Sequence, residues 1–195
     1  MAAKSQYSVS PPYIYIHNRM STTDSCHIAS IRKATSADIP EILKIMDSAR
    51  AFQRSLGFVQ WKDGYPSVEI IESDISQGGA RVFIIDGIIE AYAFLAFGDP
   101  AYDELPDNLW KFKGNYGVVH RLAVSDRHRG HGISSAIFRM IESEYRRENI
   151  WIVRVDTGEN NIVMRKIMAR NGYSPLGLHN FIWGPRLVFE KRIFP

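Results

Sequence analysis

The sequence predicts one α/β domain, a mixed central β-sheet flanked by helices, and three observations carry that prediction. Segments with a helical apolar period alternate with short β-rich runs from residue 28 onward. Asp86-Gly87 separates two such runs and suits a two-residue type I′ hairpin, in which both positions take positive φ. A strand at 116–124 leads through a glycine-containing turn straight into a helix at about 132–148.

At 195 residues, 45% hydrophobic and 23% charged, the chain can bury one substantial core and is short for two. Residues 1–27 mix Ser, Pro, Tyr and Thr with neither period and are expected to form a mobile extension, leaving 28–195 as the domain. No apolar run reaches the roughly 18 residues of a membrane helix, and the N-terminus lacks the charged-then-apolar profile of a secretory signal. A cytoplasmic setting without membrane contact is the expectation. The single cysteine, Cys26, excludes an internal disulfide and a Cys-rich metal cluster, so no metal site is expected. The net charge of +3 is mildly basic. Its densest cluster, Arg127, His128, Arg129 and His131, is interrupted by glycines instead of aromatics, which favours a compact phosphate ligand over a nucleic-acid strand.

The elements follow in order. A short strand runs from 28 to 31. Thr35 with Asp38 three residues on is a helix-start signature, and Ile39, Ile42, Leu43, Met46, Ala49, Phe52 and Leu56 then share one helical face, stopped by Gly57. Ser67 caps a second helix with Val68, Ile71 and Ile75 inward, ended by Gly78-Gly79. Residues 81–85 and 88–97 form the hairpin strands. Residues 98–114 read as a long polar loop, a length usually reserved for function or mobility. The strand at 116–124 and the helix after it, with Ile133, Ala136, Ile137, Met140 and Ile141 buried, precede a strand at 150–155. Asn160 or Asn161 opens a last helix closed by Gly172, and two closing strands follow around Leu176 and at 187–190.

Most of the chemical information lies in Val118-Val119-His120-Arg121-Leu122-Ala123-Val124-Ser125-Asp126-Arg127-His128-Arg129-Gly130-His131-Gly132-Ile133. Orphan N–H groups and the positive dipole end at the helix start make an anion site, and the two glycines let a phosphate approach the backbone. Arg127 and Arg129 can add charge, so a pyrophosphate-bearing cofactor is expected. A dinucleotide site competes, since Asp156 ends the next strand near the fingerprint spacing. The third glycine, however, is Ser135, and five polar residues from Ser125 to Arg129 intervene where a dinucleotide turn is tight. The short stretch after Asp156 also cannot supply the rest of a doubly wound sheet.

Arg127-x-x-Gly130-x-Gly132 after a His-Arg-Leu-Ala-Val strand resembles the Arg/Gln-x-x-Gly-x-Gly/Ala acetyl-CoA motif of the GNAT superfamily of N-acetyltransferases, and the order of elements from residue 28 is similar to the GNAT fold. The resemblance implies direct acetyl transfer from acetyl-CoA, as co-substrate, to a primary amine of a small molecule or peptide. Homodimerisation is left open. It implies a CoA pyrophosphate on the amides of Arg127, His128, Arg129, Gly130, His131, Gly132 and Ile133. The pantetheine arm would pair with the backbone of Leu122, Ala123 and Val124, exposed by a splayed neighbouring strand, and Asn161 would contact the same arm. A non-catalytic acyl-CoA-binding sensor or interaction module is the alternative.

Aminolysis of a thioester needs a neutral amine, and an alkylamine of pKa about 10.4 is almost wholly protonated at neutral pH. His120, two residues before the Leu-Ala-Val segment, suits proton acceptance and resembles the histidine on the same strand of serotonin N-acetyltransferases. Asp99, Glu104 and water are rivals for that role. Strand alternation would place His120, Leu122 and Val124 on one side and Arg121 on the other. Where many GNAT enzymes carry an acid tyrosine, four residues before the closing glycine, this chain has Met168. Tyr173 is a substitute better explained by packing. Gln60, Trp61, Tyr65, Asp99 and Tyr102 fall on loops flanking the expected acceptor cleft.

Overall fold

The computed structural model describes residues 28–194. The extension at 1–27, with Cys26, lies outside the described residues. Strands β1 (Ile28–Lys33), β2 (Ala80–Ile85), β3 (Ile88–Phe97), β4 (Tyr116–Val124), β5 (Ile152–Thr157), β6 (Ser174–Phe181) and β7 (Gly184–Arg192) form one sheet in the order β1-β2-β3-β4-β5-β7-β6. Every neighbouring pair is antiparallel except β4 with β5. Helices α1 (Ile39–Ser55), α2 (Val68–Ser76), α4 (Ile133–Arg147) and α5 (Ile162–Arg170) flank it, and a single turn, α3 (Pro100–Asp103), interrupts the segment expected to be a plain loop.

Local sequence explains most boundaries. Thr35 and Asp38 close a capping box on a 3₁₀ turn that runs into α1, and Arg32 fixes the box from β1 through a two-pronged bond to Asp38 at 2.7 and 2.8 Å. With those hydrogen bonds the Asp38 carboxyl titrates at about 2. Ser67 accepts from Ile70 N at the start of α2, and Asn161 accepts from Met164 N at the start of α5. Asp86 and Gly87 take φ of 48° and 80°, the type I′ combination.

The two sheet faces carry separate cores. Under α4 and α5 pack Phe83, Leu95, Val119, Ile137, Ile141, Met168, Tyr173 and Phe189. Under α1 and α2 pack Ile42, Met46, Ile71, Val82, Tyr92 and Ala123. Val68 and Leu56, expected inward, are exposed, because the former stands at the first helical position and the latter one residue past the last turn. Beyond α2 the second of these faces gives way to an aromatic group of Tyr102, Trp110, Tyr116 and Phe181, contributed largely by residues 98–114. Arg154 is sandwiched there at 3.6 Å from Trp110 and 3.8 Å from Tyr116, and bonds Glu190 at 3.2 Å. Glu190 in turn accepts from the amides of Lys111 and Phe112. A long loop with no regular ladder is thus held by one buried ion pair.

Two irregularities in β4 shape everything that follows. Pairing with β5 covers only Tyr116, Gly117 and Val118, so the two strands part beyond Val118 and leave one edge of β4 unpaired from there to Val124. Pairing with β3 slips between Phe94↔His120 and Tyr92↔Ala123, where Arg121 adopts a φ of 52°. This bulge corrects the expected alternation. One extra residue advances the side-chain phase, so Leu122 and Val124 join the α4 and α5 core while His120 and Arg121 both reach the opposite face.

Candidate active site

Where β4 and β5 separate, two connected clefts open. The first, about 310 Å³, is walled by Leu122, Ala123, Val124, His128, Arg129, Gly130, Gly132, Ile133 and Asn161 from the expected set. Ser134, Phe52, Phe58, Val163, Met164, Lys166, Ile167 and Arg170 complete much of its wall and were not foreseen. On its wall Gly130 and Gly132 take φ of 87° and 75°, and a Cβ on either would meet nothing within 4 Å. Glycine is needed for the backbone angle, and the open space is what lets a ligand approach. Among the described residues, the amides of Gly130, Gly132, Ile133 and Ser134 have no backbone acceptor. An anion set there meets converging N–H groups, the dipole of α4 and the Arg129 guanidinium.

The two arginines of the turn do different work. Arg129 crosses the Phe52 ring at 4.3 Å and bonds Ser48, which keeps it on the cleft wall. Arg127 does not reach the cleft, nor does His131. Arg127 Nε donates to Glu90 Oε1 at 2.8 Å instead. Glu90 on β3 is 2% exposed, accepts from the Ser125 hydroxyl, lies 3.8 Å from His128 Nε2, and its carbonyl accepts from Ser125 N. One buried carboxylate therefore holds the approach to the glycine turn. The sequence signal was present: a lone acid in the apolar run Ile-Ile-Glu-Ala-Tyr needs a cationic partner if it is buried.

The second cleft, about 810 Å³, continues from the first through Gln53, Trp61, Leu122, Asn161 and Met164. Gln60, Trp61, Tyr65, Asp99, His120, Arg121 and Asp156 line it, whereas Tyr102 is buried behind the wall and Glu104 is exposed away from it. Gln60 Oε1 accepts from Thr157 Oγ1, Gly158 N and Asn161 Nδ2, so the α1–α2 loop is tied to the start of α5. Arg121 bonds Asp74 on α2 at 2.8 and 2.5 Å and Tyr65 at 3.3 Å, and Tyr92 donates to the same Asp74 at 2.5 Å.

His120 Nε2 lies 2.8 Å from Asp99 Oδ2. A carboxylate only accepts, so in the neutral imidazole the proton sits on Nε2, and Nδ1 is left as a basic nitrogen with no partner among the described residues. Burial pushes the Asp99 carboxyl up, but hydrogen bonds from His120 and the amides of Ala101 and Tyr102 outweigh it and hold Asp99 below its ordinary value. Tyr116 fixes Asp99 further, bonding its backbone N and O and the Asp103 carboxylate at 2.6 Å. Asp99 is thus a partner of His120 and no longer a rival. Met168 is wholly buried in the core, and Tyr173, also buried, donates to Glu142, so neither offers an acid to the clefts.

The fold is thus an α/β sandwich of sheet and helices with a glycine turn of open amides, a strand edge left free by a splayed neighbour and a histidine–aspartate pair beyond it. Residues 78–173 match the family model described as Acetyltransferase (GNAT) family. A GNAT-family acetyltransferase from Streptococcus agalactiae is 30% identical with a TM-score of 0.77, the match covering 85% of this chain and 96% of that one. One from Listeria monocytogenes is 24% identical, TM-score 0.65, covering 84% and 94%. The Salmonella typhimurium protein yncA, solved with its cofactor acetyl-CoA, is 16% identical, TM-score 0.59, covering 85% and 94%. The latter two bear on the fold alone. No curated protein matches. The chain belongs to the GNAT acetyltransferase family. No helix among the described residues is long and apolar enough to cross a membrane.

Proposed function

We propose that the protein moves an acetyl group from acetyl-CoA directly to a primary amine of a small molecule or peptide. The observation that carries this reading is the continuity of the two clefts, from the amides of Gly130, Gly132, Ile133 and Ser134, which have no backbone acceptor among the described residues, along the free edge of β4, to the basic nitrogen of His120. Acetyl-CoA supplies an activated acyl group as a thioester. The amides of Gly130, Gly132, Ile133 and Ser134, with Arg129, suit its pyrophosphate, while the backbone of Leu122, Ala123 and Val124 suits the amide-bearing arm. His120 Nδ1 takes a proton from the acceptor ammonium, and Asp99 stabilises the imidazolium that results. Residues 28–195 hold no cysteine to carry an acetyl intermediate, which favours direct transfer.

Met168 favours a second reading, a non-catalytic acyl-CoA sensor or interaction module, because no hydroxyl stands at the family's usual acid position. A thiol of pKa about 8.5 is a tolerable leaving group without assistance, so the enzyme reading comes first. Two measurements decide. Acetyl-CoA at a hundredfold excess over its dissociation constant should stabilise the protein by about 2.7 kcal/mol, and NADH should not. Free thiol should then accumulate with at least one member of a broad amine panel. Binding without thiol release supports the sensor, and stabilisation by NADH alone removes both readings.

A further inference from the structure

Asp156 ends β5 on the wall of the acceptor-side cleft and has no part in the chemistry described so far. Its Oδ1 accepts from the Tyr102 hydroxyl at 2.7 Å, and the Tyr102 ring meets His120 edge-on at a centroid distance of 6.2 Å. Asp156, Tyr102 and His120 therefore form one contiguous set. Among the described residues, Oδ2 makes no hydrogen bond. Its nearest cation is Arg186 Nε at 3.5 Å, although the side chain is only 11% exposed.

Resting on the acetyl-transfer reading, we propose that Asp156 docks the acceptor as an alkylammonium ion, and that the acceptor is a primary amine with an apolar body and no carboxylate beside the nitrogen. A carboxylate withdrawn from water with one oxygen lacking a hydrogen bond attracts a cation. Burial raises its proton affinity despite the Tyr102 hydrogen bond and the charges of His120 and Arg186, and Asp99 adds to the rise. The cleft's cations do not offer an anion site in its place: Arg121 is engaged by Asp74 on two sides, Arg186 leans on Asp156 itself, and Lys62 stands at the exposed rim. Trp61, Tyr65, Phe94 and Trp183 line the remainder and suit an apolar or ring-bearing body next to a cation. Asp99 and Asp156 on the same cleft would repel a carboxylate attached to the amine-bearing carbon.

The protons and electrons balance. The ammonium holds Asp156 Oδ2 through one N–H and gives a proton to His120 Nδ1, which frees its lone pair. That pair closes the N–C bond to the acyl carbon as the C–S bond opens with its electrons on sulfur. Of the two protons the nitrogen loses, one reaches sulfur and one reaches solvent by way of His120.

The test uses calorimetric binding of phenethylamine and of phenylalanine, a pair differing by one carboxylate, to the full chain with CoA present. Phenethylamine should bind about 10- to 100-fold tighter than phenylalanine, and Asp156→Asn should weaken it by a similar factor while acetyl-CoA affinity stays unchanged as a control for folding. Arg186→Ala, which removes the competing cation, should tighten phenethylamine binding and keeps the proposal testable if Asp156→Asn fails to fold. Equal affinity for the two probes, no binding of either, indifference to Asp156→Asn, or weaker binding in Arg186→Ala overturns the proposal. Thiol release is scored separately. Ammonium binding that depends on Asp156 without thiol release from any amine leaves this site standing and removes the transfer reading; thiol release with Asp156 indifferent does the reverse.

Discussion

The two ends of the cleft are built on different principles. At the glycine turn the candidate binding groups are chiefly the backbone amides of Gly130, Gly132, Ile133 and Ser134, with the Arg129 guanidinium beside them. At the acceptor end nearly every group is a side chain, and His120, Asp99, Asp156 and the pair Trp61 and Tyr65 come from four separate segments. Backbone recognition tolerates sequence change wherever φ and ψ are kept. Side-chain recognition does not, so the acceptor end is where this chain can acquire a substrate of its own.

The strongest test of this contrast is His120→Ala, which should lower kcat/KM about 10²- to 10⁴-fold with little change in acetyl-CoA affinity. The base must be unprotonated to act, so activity falls as pH falls. With an acceptor amine of low pKa, the acid limb of the profile should contain the imidazole ionisation in the wild type and lose it in the variant. A near-normal rate with an unchanged profile would make His120 structural.

Gly130→Glu strikes the opposite end. It adds a Cβ at a φ of 87° and a negative charge beside the anion site, and should abolish the stabilisation of about 2.7 kcal/mol expected at a hundredfold excess of acetyl-CoA. A folded variant that still binds acetyl-CoA would show that the turn is not the anchor.

The smallest effect is the most discriminating. If Glu90 acts through the turn, Glu90→Gln should raise the KM for acetyl-CoA about tenfold with kcat held, and S-acetylpantetheine, which lacks the pyrophosphate, should be used equally well by both proteins. Arg127→Ala should give the same rise, and the double variant no more than either single, because both changes break one bond. Additive losses would return Arg127 to the role of a direct phosphate ligand.

The legible and illegible parts of the site divide along the same line. Gly130, Gly132 and the start of α4 were readable because a turn and a helix start are written in neighbouring residues. His120 was readable as a residue type on a strand, but its face was not. The extra residue at Arg121 depends on how β3 pairs with β4, and it reversed the predicted company of Leu122 and Val124. Arg127 looked like a ligand because charge near a phosphate turn suggests one, and only the buried Glu90, distant in sequence, shows where that charge is spent. The spacing of Asp156 suits the dinucleotide fingerprint, and the structure sets the residue in the second cleft beside His120 and Asp99.

By itself the sequence determined the order of the main elements, the Asp86-Gly87 hairpin, the caps at Thr35 and Ser67, an asparagine cap at 160 or 161, and the glycine turn. Each of these is a choice of φ and ψ or a hydrogen bond within a few residues, which local chemistry fixes. The tertiary structure alone decided the parting of β4 from β5, the bulge that carries His120 to the acceptor face, the burial of Met168 and the meeting of Asp99, His120 and Asp156. Those depend on which faces of distant segments pack together, and periodicity within one segment does not encode its partner.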